Sequence, residues 1–154
     1  MRISAKADYA VRLACELAVA PAGEAIRCED LANAQDAPLQ FCETILGALR
    51  TAGIVASRRG NRGGYLLALP ASDITVADVI RAVDGPLAAV HGVAPEELSY
   101  GGAATRLADV WLAVRSSLRD VLEHVTLADL AAGKLPKSVE RRAADPDSQQ
   151  RRRR

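Results

Sequence analysis

The sequence predicts a mainly α-helical protein in which three helices precede a short β-hairpin and a long helix follows it. Hydrophobic residues make up 49% of the 154 residues but aromatic residues only 3%. A core built mainly from Ala, Leu and Val favours closely packed helices over a large β-sandwich. Apolar residues also recur at helical spacing in several segments, and two short apolar runs flank a loop rich in Gly and Arg.

Two helices are predicted at the start of the chain. Residues 4–20 place small apolar side chains on one face, and Ser4 is a suitable N-cap because its hydroxyl accepts from a free backbone N–H. Pro21 and Gly23 end this helix. Residues 29–34 predict a short second helix, with Leu31 and Ala32 facing inward.

The third predicted helix has one apolar face and one face of short polar residues. Pro38 suits its first turn, because proline lacks the N–H that would be unpaired there. The residues predicted to face the core are Leu39, Cys42, Leu46 and Leu49. The residues predicted to face outward are Gln40, Glu43, Thr44 and Gly47. Hydrogen-bonding groups of little bulk suit a helix that approaches the floor of a DNA groove, so the second and third helices predict a helix-turn-helix.

Two short strands are predicted after this helix, over residues 54–58 and 65–69, joined by an arginine-tipped loop. A helix followed by a basic hairpin is the order of a winged helix-turn-helix. We therefore expect residues 1–70 to form a DNA-binding domain whose partner is double-stranded DNA. The arginines in and beside the hairpin are Arg50, Arg58, Arg59 and Arg62. Solvated surface charge is an open alternative to phosphate contact for all of these except Arg59.

Residues 71–102 are predicted to hold a connecting helix and an irregular effector-region loop. Thr75 and Asp78 resemble a capping box at the start of the helix. Residues 87–102 show no regular spacing of apolar residues, which indicates an irregular connection. Residues 103–133 are predicted to form a long dimerisation helix and a short helix capped by Thr126. The long helix carries the apolar stripe Leu107, Val110, Trp111, Val114, Leu118, Val121, Leu122 and Val125. The simplest partner for such a stripe is its two-fold mate, which predicts a homodimer.

Charge is distributed unevenly along the chain, although the formal net charge is only +1. Residues 1–70 hold 8 Lys or Arg against 7 Asp or Glu, residues 71–133 hold 4 against 9, and residues 134–154 hold 8 against 3. This pattern favours local rather than global phosphate contacts. Residues 134–154 are predicted to be a basic, disordered tail. With no apolar run long enough to span a bilayer and no signal-peptide core, we expect a cytoplasmic protein that does not contact membranes.

Several motifs together resemble the Rrf-two family of bacterial transcription regulators, over residues 1 to about 133. Their combination is specific, although each alone would be a weak signal. They are Met1-Arg2-Ile3-Ser4-Ala5-Lys6 with Tyr9-Ala10-Val11, Pro38-Leu39, Leu49-Arg50, Ala52-Gly53-Ile54-Val55, Ser57-Arg58-Arg59-Gly60 with Gly63-Gly64-Tyr65, and Ile80-Arg81-Ala82-Val83-Asp84-Gly85-Pro86. Members of the family include the iron-sulfur cluster regulator, the nitric-oxide-sensing repressor and cysteine-metabolism repressors.

The resemblance implies a dimer in which paired winged helices read a palindromic operator, with repression as the expected outcome. It implies that Gln40 and Glu43 lie near base edges, that Arg59 enters the minor groove, and that Lys6 and Tyr9 lie near phosphate. The chemistry agrees, because glutamate accepts from the cytosine amino group, glutamine pairs with adenine, and arginine suits the negative minor groove.

The chain departs from cluster-binding members of this family in one region. Those members carry three cysteines between the fourth helix and the long helix, whereas residues 87–102 contain none and offer only His91. We therefore predict no metal site and no cofactor, with cluster ligation by cysteines across a dimer left as an alternative. A thiol switch through Cys15 or Cys28 is the preferred effector hypothesis, since a helix N-terminus near Cys28 favours thiolate. Inert packing, predicted for Cys42, is the competing role for both, and a small ligand or protein partner leaves the effector open.

Two other classes of protein compete with a DNA-binding regulator. An enzyme is not expected, because the sequence holds no HExxH, GxSxG or P-loop motif. The other alternative is a protein-interaction module that keeps the winged fold without specific DNA binding, which the modest charge of residues 1–70 permits. Arg59 and the small polar face of the third helix argue against this alternative.

Overall fold

A computed structural model describes residues 2–150 of the chain and contains the predicted order of elements. Its two strands are β1 (Val55–Arg58) and β2 (Gly64–Leu67), and they pair antiparallel. Its helices are α1 (Ala5–Val19), α2 (Cys28–Ala34), α3 (Leu39–Thr51), α4 (Val76–Asp84), α5 (Leu107–Leu122), α6 (Leu127–Ala131), α7 (Lys137–Ala143) and α8 (Pro146–Gln149). The mainly α winged fold is thus confirmed.

Helix α1 is the central element, because it packs against α3, α4 and α6. Ser4 caps it as predicted: the Ala7 backbone N–H donates to the Ser4 hydroxyl over 2.9 Å. Leu13 and Leu17 on its inward face are buried, together with three alanines. Burying a leucine completely stabilises the fold by about 1.5–3 kcal/mol, and the small alanines allow the neighbouring helices to approach closely.

One core joins the elements on both sides of residue 70. It includes Leu46 and Leu49 of α3, and also Ile74, Val79 and Leu127 from beyond that boundary. The helix-turn-helix therefore shares its core with α4 and α6 instead of closing a separate one.

The chain leaves this core after α4 and returns to it before α6. Residues 87–102 form an irregular connection as predicted, with a short 3-10 turn at Pro95–Glu97. After α5, the Val76 N–H donates to the Val125 carbonyl and the Leu127 N–H donates to the Ile74 carbonyl, each over 2.9 Å. The returning chain therefore pairs with the segment that opens α4.

Two capping boxes lie on either side of this pairing. Thr75 and Asp78 form the predicted box at the start of α4, and Thr126 and Asp129 form a second one at the start of α6. In each, the threonine hydroxyl accepts from the third backbone N–H of the helix and the aspartate accepts from the N–H of the threonine, so that free helix-end donors are paired.

Two features differ from the sequence-based expectation. Leu39 was predicted to face the core but is 40% exposed; it is the first residue of α3. Disorder was predicted beyond Pro136, but residues 137–149 form the two short helices α7 and α8. The Arg142 guanidinium lies 3.5 Å from the Asp120 carboxylate and ties α7 to α5. Residues 151–154, at the basic end of the predicted tail, lie outside the described residues.

Candidate nucleic-acid interface

Helix α3 presents its polar face to solvent. Gln40, Glu43 and Thr44 are all exposed, whereas Cys42 and Ile45 on the opposite side are fully buried. The Thr44 hydroxyl donates to the Gln40 carbonyl over 2.9 Å, which fixes its rotamer and leaves its oxygen able to accept another hydrogen bond. The exposed face therefore offers an amide, a carboxylate and a hydroxyl with little bulk between them, which is suited to reading base edges.

The basic residues predicted in and beside the wing are exposed, and within residues 2–150 their side chains form no ion pairs. Arg58 ends β1, and Arg59 and Arg62 lie in the loop that joins it to β2. Arg50 lies in the last turn of α3, next in the chain to the hairpin. Within residues 2–150, none of these four guanidinium groups has an ion pair or a side-chain hydrogen bond. Unpaired surface cations beside a polar helix have the charge that contact with a phosphate backbone requires.

Contacts from the segment before α2 fix the wing against the helix-turn-helix. Ile26 and Tyr65 exchange two backbone hydrogen bonds, from the Ile26 N–H over 2.9 Å and from the Tyr65 N–H over 2.8 Å. Gly64 makes this approach possible, since a Cβ at that position would collide with the Ile26 carbonyl. The wing is therefore held as an extension of a small sheet instead of projecting freely.

Arg27 is a site residue that the sequence reasoning missed. Its Nη2 donates to the carbonyl oxygen of Asn61 in the wing loop over 3.1 Å. The two residues lie 34 positions apart in the sequence, and no local pattern links them. Arg27 braces the loop that carries Arg59 and Arg62 and adds a further positive charge to the same surface.

The structure separates the two residues that the family resemblance placed near phosphate. Tyr9 reaches α3: its ring packs edge-on against Phe41, with centroids 5.6 Å apart, and the Arg12 guanidinium lies 4.3 Å from its centroid. Lys6 instead donates from Nζ to the Val83 carbonyl over 2.8 Å, at the C-terminal end of α4. Because a cation there complements the helix dipole, Lys6 serves in this structure to join α1 to α4.

The surroundings of the cysteines raise the pKa of their thiols. Burial, reinforced by the thiol of Cys42 and the carboxylates of Glu43 and Glu29, raises the pKa of Cys28 to about 11. The expectation of a favoured thiolate at Cys28 is therefore wrong, because this helix end is acidic and partly buried. Burial and the Glu16 charge also raise the pKa of Cys15. Cys42 is fully buried in the core, as predicted.

The effector region lacks the ligands that a cluster needs. His91 in this connection is exposed, and among residues 2–150 no three His, Cys, Asp or Glu side chains converge in a way that would hold a metal ion. The three cysteines lie on or at the start of α1, α2 and α3 instead of in the connection. The donors within one chain therefore do not fit an iron-sulfur cluster.

An exposed polar helix flanked by a braced arginine wing defines a winged helix-turn-helix DNA-binding protein. The sequence matches, over residues 3–133, the model of the Rrf2 family, described as iron-dependent transcriptional regulators. The chain belongs to this family: it is a DNA-binding transcriptional regulator and not an enzyme. No helix within residues 2–150 has both the length and the apolar character needed to cross a membrane.

Individual relatives agree with this family assignment. The HTH-type transcriptional regulator Rv1287 of Mycobacterium tuberculosis is 50% identical over 150 residues, which cover 97% of this chain and 93% of the relative. CymR of Bacillus subtilis is 33% identical over 132 residues, which cover 86% of this chain and 91% of CymR. The solved structure of that CymR, titled as the global cysteine regulator, has a TM-score of 0.72 at 30% identity and covers 87% of this chain and 98% of its own. The structure of T. potens IscR has a TM-score of 0.70 at 31% identity, and the match covers 86% of this chain and 88% of the IscR chain.

Proposed function

We propose that the protein is a homodimeric, cluster-free repressor that reads a palindromic operator through paired α3 helices and wings. The observation that carries this proposal is the exposed polar face of α3 beside four unpaired arginines. The alternative, a winged-helix protein-interaction module, does not require this combination of a polar helix face and unpaired arginines.

Each residue of the interface has a role in this proposal that follows from its chemistry. Glu43 accepts from the amino group of cytosine, and Gln40 pairs with adenine in the major groove. Arg59, at the wing tip, enters the narrow minor groove, where the negative potential is strongest. Arg50, Arg58 and Arg62 contact phosphates and fix the register without reading sequence.

The proposed dimer rests on helix α5. None of its 16 residues is buried within the single chain. Val110 is 50% exposed and Leu112 36%, and the indole N–H of Trp111 is shielded from solvent without a hydrogen-bond partner within residues 2–150. A second copy would cover the exposed part of the apolar stripe. The two-fold axis then sets the half-sites about one helical turn, or 34 Å, apart.

We infer repression because a dimer that occupies an operator closes that DNA to other proteins. We further propose that its signal is not a resident cluster, because the donors of one chain do not fit one. The relative CymR is named the global cysteine regulator of B. subtilis, which supports a metabolite-linked signal for this chain.

Selection of genomic fragments by the purified, reduced protein, followed by footprinting, tests the reading function. The expected result is enrichment of a palindrome with two protected half-sites one helical turn apart. Binding that is sensitive to salt and indifferent to sequence would favour the interaction module instead.

Light scattering on a variant of α5 tests the dimer. Val110→Glu should convert the dimer to a monomer with an unchanged circular dichroism spectrum, because the half-exposed side chain supports no core within one chain. The matched control is Ser116→Glu, an exposed position on the opposite side of α5. A monomeric parent protein, or a dimer that persists in Val110→Glu, would contradict the proposed interface.

A further inference from the structure

A groove lined by arginines lies between α4, α5 and the connection that follows α4. Its volume is about 400 Å³, within the range of small-molecule sites. Three guanidinium groups line it, and Glu96 is the one carboxylate in its lining; Pro86 and Leu87 form part of an apolar wall. The lining residues used here are Arg81, Arg115, Arg119, Glu96, Pro86 and Leu87. None of them belongs to α3 or to the wing.

Arg115 is held in this groove with most of its hydrogen-bonding capacity unused. Its side chain is only 12% exposed, and its Nη1 contacts the Glu96 carboxylate. Its Nε and Nη2 groups have no protein acceptor within residues 2–150. Both of these groups are open to solvent, so an acceptor that enters the groove can reach them. The free donors of Arg115 are therefore positioned for an acceptor that the chain itself does not provide.

Arg119 adds a second partly free cation on the same side of α5. It lies one helical turn from Arg115, so the two side chains are neighbours on the helix surface. Its Nε is 3.5 Å from the Glu123 carboxylate, and its terminal NH₂ groups have no acceptor within residues 2–150. Arg81 differs from both, because Glu123 and Asp78 neutralise it.

Three guanidinium groups and one carboxylate line the groove, and two further carboxylates, Asp78 and Glu123, pair with Arg81 and Arg119 beside it. The pKa of Glu96 is lowered by its own backbone N–H, then by the hydrogen bond from Arg115, and further by the charges of Arg115 and Arg119. An anion in this groove therefore meets an attractive field from two guanidinium groups. A planar guanidinium with two adjacent free donors binds carboxylate, sulfate or phosphate oxygens in a bidentate manner.

We propose that this groove binds a small oxyanion-bearing ligand, with the anionic group between Arg115 and Arg119 and any carbon skeleton against Pro86 and Leu87. This inference rests on the proposed function only for its role as an effector, since binding itself does not require DNA. The groove connects to the reader through α4, which packs on α1 and α3. A ligand in the groove would therefore contact residues on the helix that supports the reading head.

Calorimetric titration of the full-length protein tests this site, with sulfate, phosphate, acetate, butyrate and succinate as separate probes. Ionic strength is held constant with chloride, so that general screening is the same in every titration. Saturable binding is expected for at least one probe. A preference for butyrate over acetate would identify a ligand with an apolar body, and a preference for sulfate or phosphate would identify the free inorganic ion.

Four variants separate a binding site from a structural ion pair. Arg119→Gln should raise Kd at least about tenfold, because it removes a charge-assisted contact. Arg115→Lys should also weaken binding while it keeps the positive charge, since lysine cannot bind in a bidentate manner. Glu96→Gln should tighten binding, whereas loss of a purely structural ion pair would not. Arg106→Gln, at an 88% exposed arginine that precedes α5, is the matched control and should leave Kd unchanged.

The absence of saturable binding for every probe would overturn the proposal, as would equal effects of Arg119→Gln and Arg106→Gln. The footprint described above is measured separately. A protein that binds the anion without a specific operator would refute the proposed function alone, and one that binds its operator but none of the probes would refute this site alone.

Discussion

Replacing Gly64 by alanine should detach the wing from the helix-turn-helix. An ideal Cβ at this position would lie 2.5 Å from the Ile26 carbonyl carbon and 2.9 Å from the Arg27 nitrogen, and both neighbours are backbone atoms. The backbone φ of Gly64 is also +150°, a value that L-residues rarely adopt. The strand must therefore move away from Ile26 to make room for the methyl group.

The expected loss of stability follows from the contacts that this movement breaks. Ile26 and Tyr65 share two backbone hydrogen bonds of 2.9 and 2.8 Å. Each contributes about 0.5–1.5 kcal/mol net, so their loss costs about 2 kcal/mol in the free energy of unfolding. Gly60→Ala is the matched control, since Gly60 has a positive φ of +99° but nothing within 4 Å of an added Cβ. It carries the conformational strain, about 1 kcal/mol, without the collision.

Urea unfolding and fluorescence anisotropy with operator DNA measure both consequences. Gly64→Ala should be about 2 kcal/mol less stable than Gly60→Ala, and its specific DNA affinity should fall more because Arg59 is no longer held in place. If the two variants unfold at the same urea concentration and bind DNA equally well, then the contact between Ile26 and β2 does not set the wing position.

Three further predictions concern the interface, the thiols and the tail. Arg59→Ala should lower specific DNA affinity by about 1–3 kcal/mol, measured by anisotropy against Arg106→Ala as the control; equal losses in the two variants would exclude a minor-groove role. A pKa of about 11 for Cys28, against an ordinary 9.0, leaves about 100-fold less thiolate at neutral pH. Alkylation of Cys28 by iodoacetamide at pH 7.5 should therefore be at least that much slower in the native protein than in urea, and its rate should rise as the pH approaches 11; fast native alkylation would restore the thiol-switch hypothesis. Deleting residues 137–154 should flatten the salt dependence of DNA binding, because fewer counterions are released, and an unchanged slope would show that the tail does not contact DNA.

Local patterns predicted the elements of the fold well because local physics determines them. The capping boxes at Thr75 and Thr126 were readable from residues three positions apart, and the buried side of α3 followed from helical spacing at Cys42, Leu46 and Leu49. These features depend on hydrogen bonds and apolar periodicity within a few residues of each other.

Features that depend on distant parts of the chain were not predictable in this way. Leu39 continues the apolar spacing of α3, but it is 40% exposed, because spacing within one helix does not show where the neighbouring elements cover it. Arg27 reaches the wing only because β2 pairs with Ile26. The pKa of Cys28 depends on burial and on Glu43 of another helix, and these outweigh the helix end on which the prediction relied.

The two hydrogen bonds that join residues 74–76 to residues 125–127 close a loop of the chain that contains α4, the connection after it and α5. Helix α4 packs on α1 and α3, so the start of this loop is held by the core as well as by its closing point. The connection and α5 follow only after the chain has left the core. Their length and composition can therefore change, in evolution or in engineering, while α4 and the elements that contact DNA keep their positions.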